Sequence, residues 1–428
     1  MNFILKNGLL VDPKNKLCKK LDVDVENGVV ARVGEGLSRP DAEVIDVTGL
    51  FVTPGFVDMH CHLREPGFTY KEDIATGSLS AAFGGFTSIA CMPNTNPVID
   101  NAAVAAFVRS RLSYVNVFPI GAVTKNQAGA ELADIAQMKR EGIVALSEDG
   151  KSVCSSSVMR SALAYADDFG LLVISHCEDE SLASGGCMNE GVVSTRLGLK
   201  GISTAAEEII VARDIILAKT YGRRIHIAHV STRGGVEIIR QAKKHGVRVT
   251  AETCPHYFSL TEEAVEGFNT LAKVNPPLRR AEDVSAVIEG LKDGTLDAVA
   301  TDHAPHGVSD KNCDFHSAAF GMVGFETAFS LCNTFLVRAG AISVSELIQK
   351  ISSVPAEILG INKGHLSVGA DADIAVLDPN VEYTVEPEKF HSKSKNCPYG
   401  GMRLFGKVVH TVAGGRFVVR DFKQAMFI

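Results

Sequence analysis

The segment Asp58-Met59-His60-Cys61-His62 places two imidazoles two residues apart at the end of an apolar run. In an extended strand alternate side chains share a face, so His60 and His62 point together while Cys61 points away. Two imidazoles side by side make half of a zinc site. A lone H-x-H pair is more often packing or surface chemistry. This pair has company, because other apolar runs end in Ser147-Glu148-Asp149-Gly150, Ser175-His176, His229 and Thr301-Asp302-His303. A polar residue at such a point is not there for packing. His60, His62, His176, His229, Asp149 and Asp302 suffice to hold two divalent ions through a shared ligand. Nitrogen and carboxylate donors without thiolate favour Zn2+, with Mn2+ and Co2+ as alternatives. One or two Zn2+ per chain are expected, two being the fuller count. Three or four ligands per ion leave room for a water, which marks a catalytic site rather than a structural one.

The remaining histidines read differently. His226, His245, His365, His391 and His410 fall in helices, edges or terminal strands, where packing or surface roles are expected. His256 and His303 are closer to the ligands, with His303 expected to point away from them and to support them. His306 follows on the loop past Asp302, at the rim, and reads as a substrate contact.

Something must bring these strand ends together. Short, nearly continuous apolar runs occupy residues 51–60, 86–94, 116–123, 143–149, 171–177, 225–231, 247–254 and 296–302. Runs of that kind suit parallel strands buried on both faces. Helix-like stretches such as 204–221 and 234–245 lie between them. Eight alternations predict an α/β fold of the (β/α)8 TIM-barrel type, whose active sites lie at the carboxyl ends of the strands. The ends of the chain read as short strands with turn signals such as Asn27-Gly28 and Gly414-Gly415, suggesting antiparallel hairpins. Expected domains are therefore 1–50 and 366–428, jointly forming a small β-sandwich, and a barrel over 51–365. Two unrelated β-extensions are the alternative.

Bulk properties exclude several classes. The chain has 428 residues, 46% hydrophobic and 22% charged, with a net charge of −7. An acidic balance without basic runs argues against a nucleic-acid partner. No stretch approaches the ~18–20 apolar residues needed to span a bilayer, and Lys6, Asp12 and Lys14 interrupt any N-terminal signal core. A cytoplasmic enzyme without membrane contact is expected. The ten cysteines are scattered singly with no C-x-x-C spacing, as suits free thiols in a reducing compartment.

Taken together, the stretch from Asp58 through His60-Cys61-His62-Leu63-Arg64-Glu65-Pro66-Gly67 resembles the signature of dihydroorotases in the amidohydrolase superfamily. Met92-Pro93-Asn94-Thr95, Ser147-Glu148-Asp149-Gly150, the stretch from Ala300 to His306, and Gly369-Ala370-Asp371-Ala372-Asp373 extend the resemblance over nearly the whole chain. It implies reversible cyclisation of N-carbamoyl-L-aspartate to L-dihydroorotate, in pyrimidine synthesis. It also implies that His60 and His62 hold one ion with Asp302, and His176 and His229 the other. Asp149 then stands where many superfamily members carry a carboxylated bridging lysine, as in bacterial type I dihydroorotases. Lys151, two residues on, shares its face only if the strand continues, and Gly150 argues against that. Arg64, Asn94 and Asn275 resemble substrate-binding residues, with His62, His306 and the Phe320-Gly321 backbone beside them. A homodimer, and association with an aspartate transcarbamoylase, are further expectations.

The chemistry agrees with the resemblance. The substrate carries a carboxylate in both forms, and Arg64 offers a planar, permanently charged fork. Its bland alternative is a rim salt bridge with Glu65, and Asn94 and Asn275 could otherwise cap turns. A bound divalent ion lowers the pKa of water to roughly 7, so hydroxide attack on the ring carbonyl is expected, with Asp302 as general base. Residues 307–317 read as a mobile loop able to close over the substrate. The rivals are an allantoinase or dihydropyrimidinase-like enzyme, and a silent scaffold subunit of a transcarbamoylase.

Overall fold

The computed structural model describes residues 2–425; Met1 and residues 426–428, which belong to the terminal segments 1–50 and 366–428, lie outside the described residues. Eight strands run parallel in chain order: β1 (Phe56–Cys61), β2 (Phe86–Cys91), β3 (Asn116–Pro119, resuming at Gly121–Ala122), β4 (Ala145–Ser147), β5 (Leu172–Ser175), β6 (Ile225–Ile227), β7 (Val249–Thr253) and β8 (Ala298–Val299). Each is short, and all but the half-buried first part of β3 are nearly wholly buried, as their apolar character requires. Between the two parts of β3, Ile120 donates its backbone N–H to Cys91 O, keeping the third strand against the second. The ring closes where residues beyond β8 meet β1: Asp302 N–H donates to His60 O at 3.0 Å and His62 N–H to His303 O at 2.9 Å.

Helices α1 (Ile74–Phe83), α2 (Ala102–Ser110), α3 (Ile135–Arg140), α4 (Ser156–Asp168), α5 (Thr204–Tyr221), α6 (Arg233–Lys244), α7 (Ala281–Lys292) and α8 (Phe325–Cys332) follow the strands in turn. Side-chain oxygens start many of them: Asp73, Asn101, Ser155, Ser203 and Thr232 each accept a backbone N–H of the first turn. Val57, Met59, Ala145, Ile174 and Ala298 pack together with Ala356 and Leu359 of the helix Val354–Leu359. The architecture is a (β/α)8 barrel.

The run expected as one strand over residues 51–60 is two strands, broken at Gly55. Phe51–Pro54 pairs antiparallel with Ile374–Leu377 and parallel with Leu9–Leu10, in a seven-stranded sheet built from both ends of the chain. Only a residue without Cβ fits the break, because a Cβ on Gly55 would sit 2.1 Å from Thr87 Oγ1. The barrel therefore begins at Phe56, five residues later than the expected boundary at 51.

A second, four-stranded sheet contains Phe3–Lys6, Asp22–Glu26, Val29–Gly34 and Glu43–Asp46. The terminal strands are not purely antiparallel, since Phe3–Lys6 runs parallel to Glu43–Asp46. Phe3, Leu5, Val23 and Val25 from one end share a buried cluster with Ile374, Val376, Val412 and Phe417 from the other. The Phe3 and Phe417 rings lie 4.9 Å apart. The two ends thus make one apolar core, not two independent extensions.

Candidate active site

All six expected ligands arrive at the carboxyl ends of barrel strands. His60 lies near the end of β1 and His62 one residue past it, Asp149 lies two residues past β4, and His176 one past β5. His229 lies two residues past β6, and Asp302 three past β8. Every one of them is buried. His60 Nε2 is 3.2 Å from Asp149 Oδ1 and 3.6 Å from Asp302 Oδ1. His62 Nε2 is 3.1 Å from Asp302 Oδ1 and 3.4 Å from Asp149 Oδ2. On the far side of Asp149, His176 Nδ1 and His229 Nε2 each lie 3.6 Å from Oδ1. Asp149 is therefore the common neighbour of all four imidazoles.

The donor set fits divalent cations. His60 with Asp149 and His229, and His60 with His62 and Asp302, each bring ligand atoms within 4.8 Å of one another. The Nε2 atom of His60, which faces Asp149 and Asp302, is buried without a hydrogen-bond partner among the described residues. A buried nitrogen lone pair with no donor is costly, and a cation is what such lone pairs and carboxylates together accommodate. His229 and Asp302 have φ of +35° and +45°, in the left-handed region that L side chains avoid, and Arg64 has +61°. Backbone strain of this kind gathers at sites that need an otherwise unreachable side-chain direction.

Charge couples the cluster. Burial opposes ionisation of Asp149, but the His60 charge and the close approach of the His176, His229 and His60 imidazoles hold its carboxyl well below the usual carboxylate range. Asp302 is likewise held low against burial, through its bond with His62 and the charges of His60, His62 and His229. Burial would depress His60, yet Asp149, Glu252 and Asp302 raise it well above its ordinary value.

Around the ligands lies a set of partners that the expected site did not contain. Glu252, in β7, accepts from His60 Nδ1 at 2.8 Å, fixing the tautomer that leaves Nε2 facing the carboxylates. His226 brackets Glu252 from its other oxygen at 3.4 Å, so this packing histidine is part of the support. Asp58 accepts from the Thr301 N–H and hydroxyl at 2.9 and 2.6 Å, and burial pushes its pKa up to about 7. His303 does turn away: it accepts from Gly324 N–H and stacks on Phe325 with centroids 4.1 Å apart. Lys151 donates to Gln127 O, away from the ligands.

The expected substrate contacts divide. Arg64 is not a rim salt bridge with Glu65, because Glu65 pairs with Arg111 at 2.8 Å. Arg64 Nε–H donates to Pro305 O at 3.1 Å, and among the described residues no carboxylate lies within ion-pair distance of it. Asn275 keeps a buried Oδ1 without a partner among the described residues. Asn94 is engaged at both ends, accepting from His62 Nδ1 at 2.9 Å and donating to Asp149 Oδ2 at 3.4 Å. His306 is engaged too, at Lys71 and at Phe320 O, and Gly321 N–H donates to Lys273 O.

Residues 307–317 are largely exposed but tethered through two lysines. They include the helix Val308–Lys311, and the buried Lys311 ammonium donates to the carbonyls of Thr270, Lys273 and Ala319. Lys273 in turn donates to Phe315 O and His316 O. Polar composition suggested mobility; the two buried lysines tie the segment down at particular points by satisfying carbonyls on both sides.

Comparisons with known proteins place this arrangement. A family described as Dihydro-orotase-like matches residues 49–235, and one described as Amidohydrolase family matches residues 222–419. A dihydroorotase of Acetivibrio thermocellus is 56% identical over 421 residues, covering 98% of this chain and 99% of the relative. The chain belongs to the dihydroorotase family. A second dihydroorotase, of Ruminiclostridium cellulolyticum, is 54% identical over 98% of the chain and 99% of its own length. Among solved structures, the L-hydantoinase (dihydropyrimidinase) of Arthrobacter aurescens matches with TM-score 0.89 and 28% identity, over 100% of this chain and 98% of that one. The dihydropyrimidinase of Brevibacillus agri matches with TM-score 0.87 and 26% identity, over 99% and 96%. Dihydroorotases thus share their barrel with enzymes named for other cyclic amides. No helix among the described residues is long and apolar enough to cross a membrane.

Proposed function

We propose that the protein is a dihydroorotase, interconverting N-carbamoyl-L-aspartate and L-dihydroorotate in de novo pyrimidine (UMP) synthesis. The observation that carries this reading is the Arg64 guanidinium, tethered through Nε and without a carboxylate of its own. A half-buried cation left unpaired calls for an anion from outside, and the carboxylate of dihydroorotate supplies one. Hydantoin, allantoin and dihydrouracil rings carry no carboxylate and leave it unmatched.

His60, His62 and Asp302 would hold one Zn2+, and His176 and His229 the other, with Asp149 between them. Bound there, the ions supply charge that polarises the ring carbonyl and lowers the pKa of water to roughly 7. Asp302 takes the proton of the attacking water and returns it to the departing ring nitrogen. In the closing direction it takes a proton from the ureido nitrogen, which attacks the carbon of the protonated side-chain carboxyl, and passes that proton to the departing hydroxyl, which leaves as water. Arg64 binds the carboxylate that does not react, through parallel N–H donors. Asn275 and the Phe320-Gly321 edge line the same mouth, while Asn94 orients His62 within it.

The two terminal sheets form a small β-sandwich beside the barrel in this reading. The enzyme works in the cytoplasm as a homodimer, with an aspartate transcarbamoylase as its candidate partner. Light scattering with and without that partner tests the assembly.

Ring closure of N-carbamoyl-L-aspartate, run with and without chelator beside allantoin and dihydrouracil, tests the activity. Closure that chelation abolishes and zinc restores is expected. Turnover of a neutral ring in its place would favour a hydantoinase-like enzyme, in keeping with the solved neighbours. Absence of zinc and of all activity would favour the scaffold subunit.

A further inference from the structure

Lys71 lies in the loop between β1 and α1, outside every role assigned above. Its ammonium is 3.2 Å from His306 Nδ1, and its side chain is mostly shielded from solvent. An ammonium can only donate, so Nδ1 must present a lone pair. On the other side of the ring, His306 Nε2 is 2.8 Å from Phe320 O. A carbonyl can only accept, so Nε2 must carry the hydrogen. The two neighbours demand the same tautomer. Burial and the charges of Arg64, Lys71 and Lys311 also keep the ring neutral.

That tautomer decides what Arg64 can do. The guanidinium NH2 sits 3.3 Å from His306 Nε2. While Nε2 bears a hydrogen it accepts nothing, and Arg64 is held only through Nε to Pro305 O. Asp310 provides the opposing pull, with Oδ2 3.8 Å from His306 Nδ1 and 3.5 Å from Lys71 Nζ. Without the ammonium, a hydrogen on Nδ1 would face the Asp310 carboxylate. Nε2 would then present its lone pair to Arg64 and to Phe320 O alike. The guanidinium would be taken up by the protein, and the Phe320 carbonyl would lose its donor.

We infer that Lys71 is a positioning residue for substrate binding: it holds His306 as the Nε2–H tautomer and so keeps the Arg64 fork free for the substrate carboxylate. This rests on the proposed dihydroorotase reading for the identity of the anion, and on geometry alone for the tautomer.

The test compares zinc-loaded wild-type, K71M and K71R proteins. Histidine ring nitrogens are labelled with 15N, and the His306 signal is assigned by its loss in H306N. Long-range proton–nitrogen spectra should show Nε2–H in wild type and K71R, and Nδ1–H in K71M. The KM for N-carbamoyl-L-aspartate should rise about tenfold in K71M while kcat falls less than about threefold, the pattern of lost uniform binding. K71R should stay near wild type in both. An unchanged tautomer in K71M, an unchanged KM despite a switched tautomer, or K71R behaving like K71M would each overturn the inference. A wild-type protein that does not close N-carbamoyl-L-aspartate would sink the dihydroorotase reading and the KM claim with it. The tautomer claim would still be judged by the spectra.

Discussion

His60 Nδ1 donates to Glu252 Oε1 at 2.8 Å, joining the end of β1 to β7 across the barrel. Through that bond a carboxylate that touches no other expected ligand sets the orientation of the imidazole central to both candidate ion positions. Replacing Glu252 with Gln removes the negative charge and allows the ring to reorient. Zinc affinity should fall about 10–100-fold, as losses of such supporting groups do. Competition with a coloured chelator measures it, and unaltered affinity would make the bond a packing detail.

Asp302→Asn separates proton transfer from binding. The amide still offers an oxygen but cannot carry the proton between water and ring nitrogen. Turnover should drop by roughly 10²–10⁴, the usual worth of a placed acid–base group. Metal analysis must accompany the kinetics. Substantial turnover by a zinc-loaded D302N protein would remove Asp302 from that role.

Arg64→Met tests the substrate assignment. Loss of charge-assisted bonds worth about 1.5–3 kcal/mol should weaken binding of N-carbamoyl-L-aspartate about 10–100-fold. Arg64→Lys should recover only part, because a point charge does not match the planar fork. Equal KM values for the three proteins would show that the carboxylate binds elsewhere.

The histidine–carboxylate cluster predicts how metal and pH combine. In metal-free protein the His60 pKa lies well above its ordinary value of 6.5, so its stabilising pairing is complete below pH 6.5 and is lost as pH climbs through the raised value. Asp149, held low, contributes above its ordinary 3.8 and loses that only in acid. Zinc needs deprotonated imidazoles and so binds better as pH rises. The Tm difference between zinc-loaded and chelator-treated protein should therefore widen from about pH 6 to about pH 8.5. A difference that narrowed or held constant would contradict the pairing.

Lys311 anchors the segment after β8 through three backbone carbonyls. Lys311→Met strands those acceptors in a buried place, at about 1–3 kcal/mol for an unsatisfied group. A lower Tm and faster amide exchange confined to residues 307–321 are expected. Exchange unchanged across that segment would assign the anchoring elsewhere.

Much of this was legible in the residues themselves. A strand buried on both faces must be continuously apolar, so a His or Asp at its end stands out; His176, His229, Asp149 and Asp302 were found that way. Arg64 was found from its place beside His62. The break at Gly55 was not visible, because Phe51–Pro54 and Phe56–Cys61 are equally apolar and only their partners differ. Glu252 was passed over inside a run counted simply as the seventh strand.

The sequence by itself determined the barrel strands, the histidines and aspartates at their ends and the mouth they share, because those follow from local periodicity and from polar residues at strand ends. Tertiary structure alone decided which groups support them. Glu252 meets His60 across 192 residues of chain, and Lys71 meets His306 across 235. Such contacts depend on how the ring closes and which way each side chain turns, and no local pattern encodes a hydrogen bond between strands that far apart.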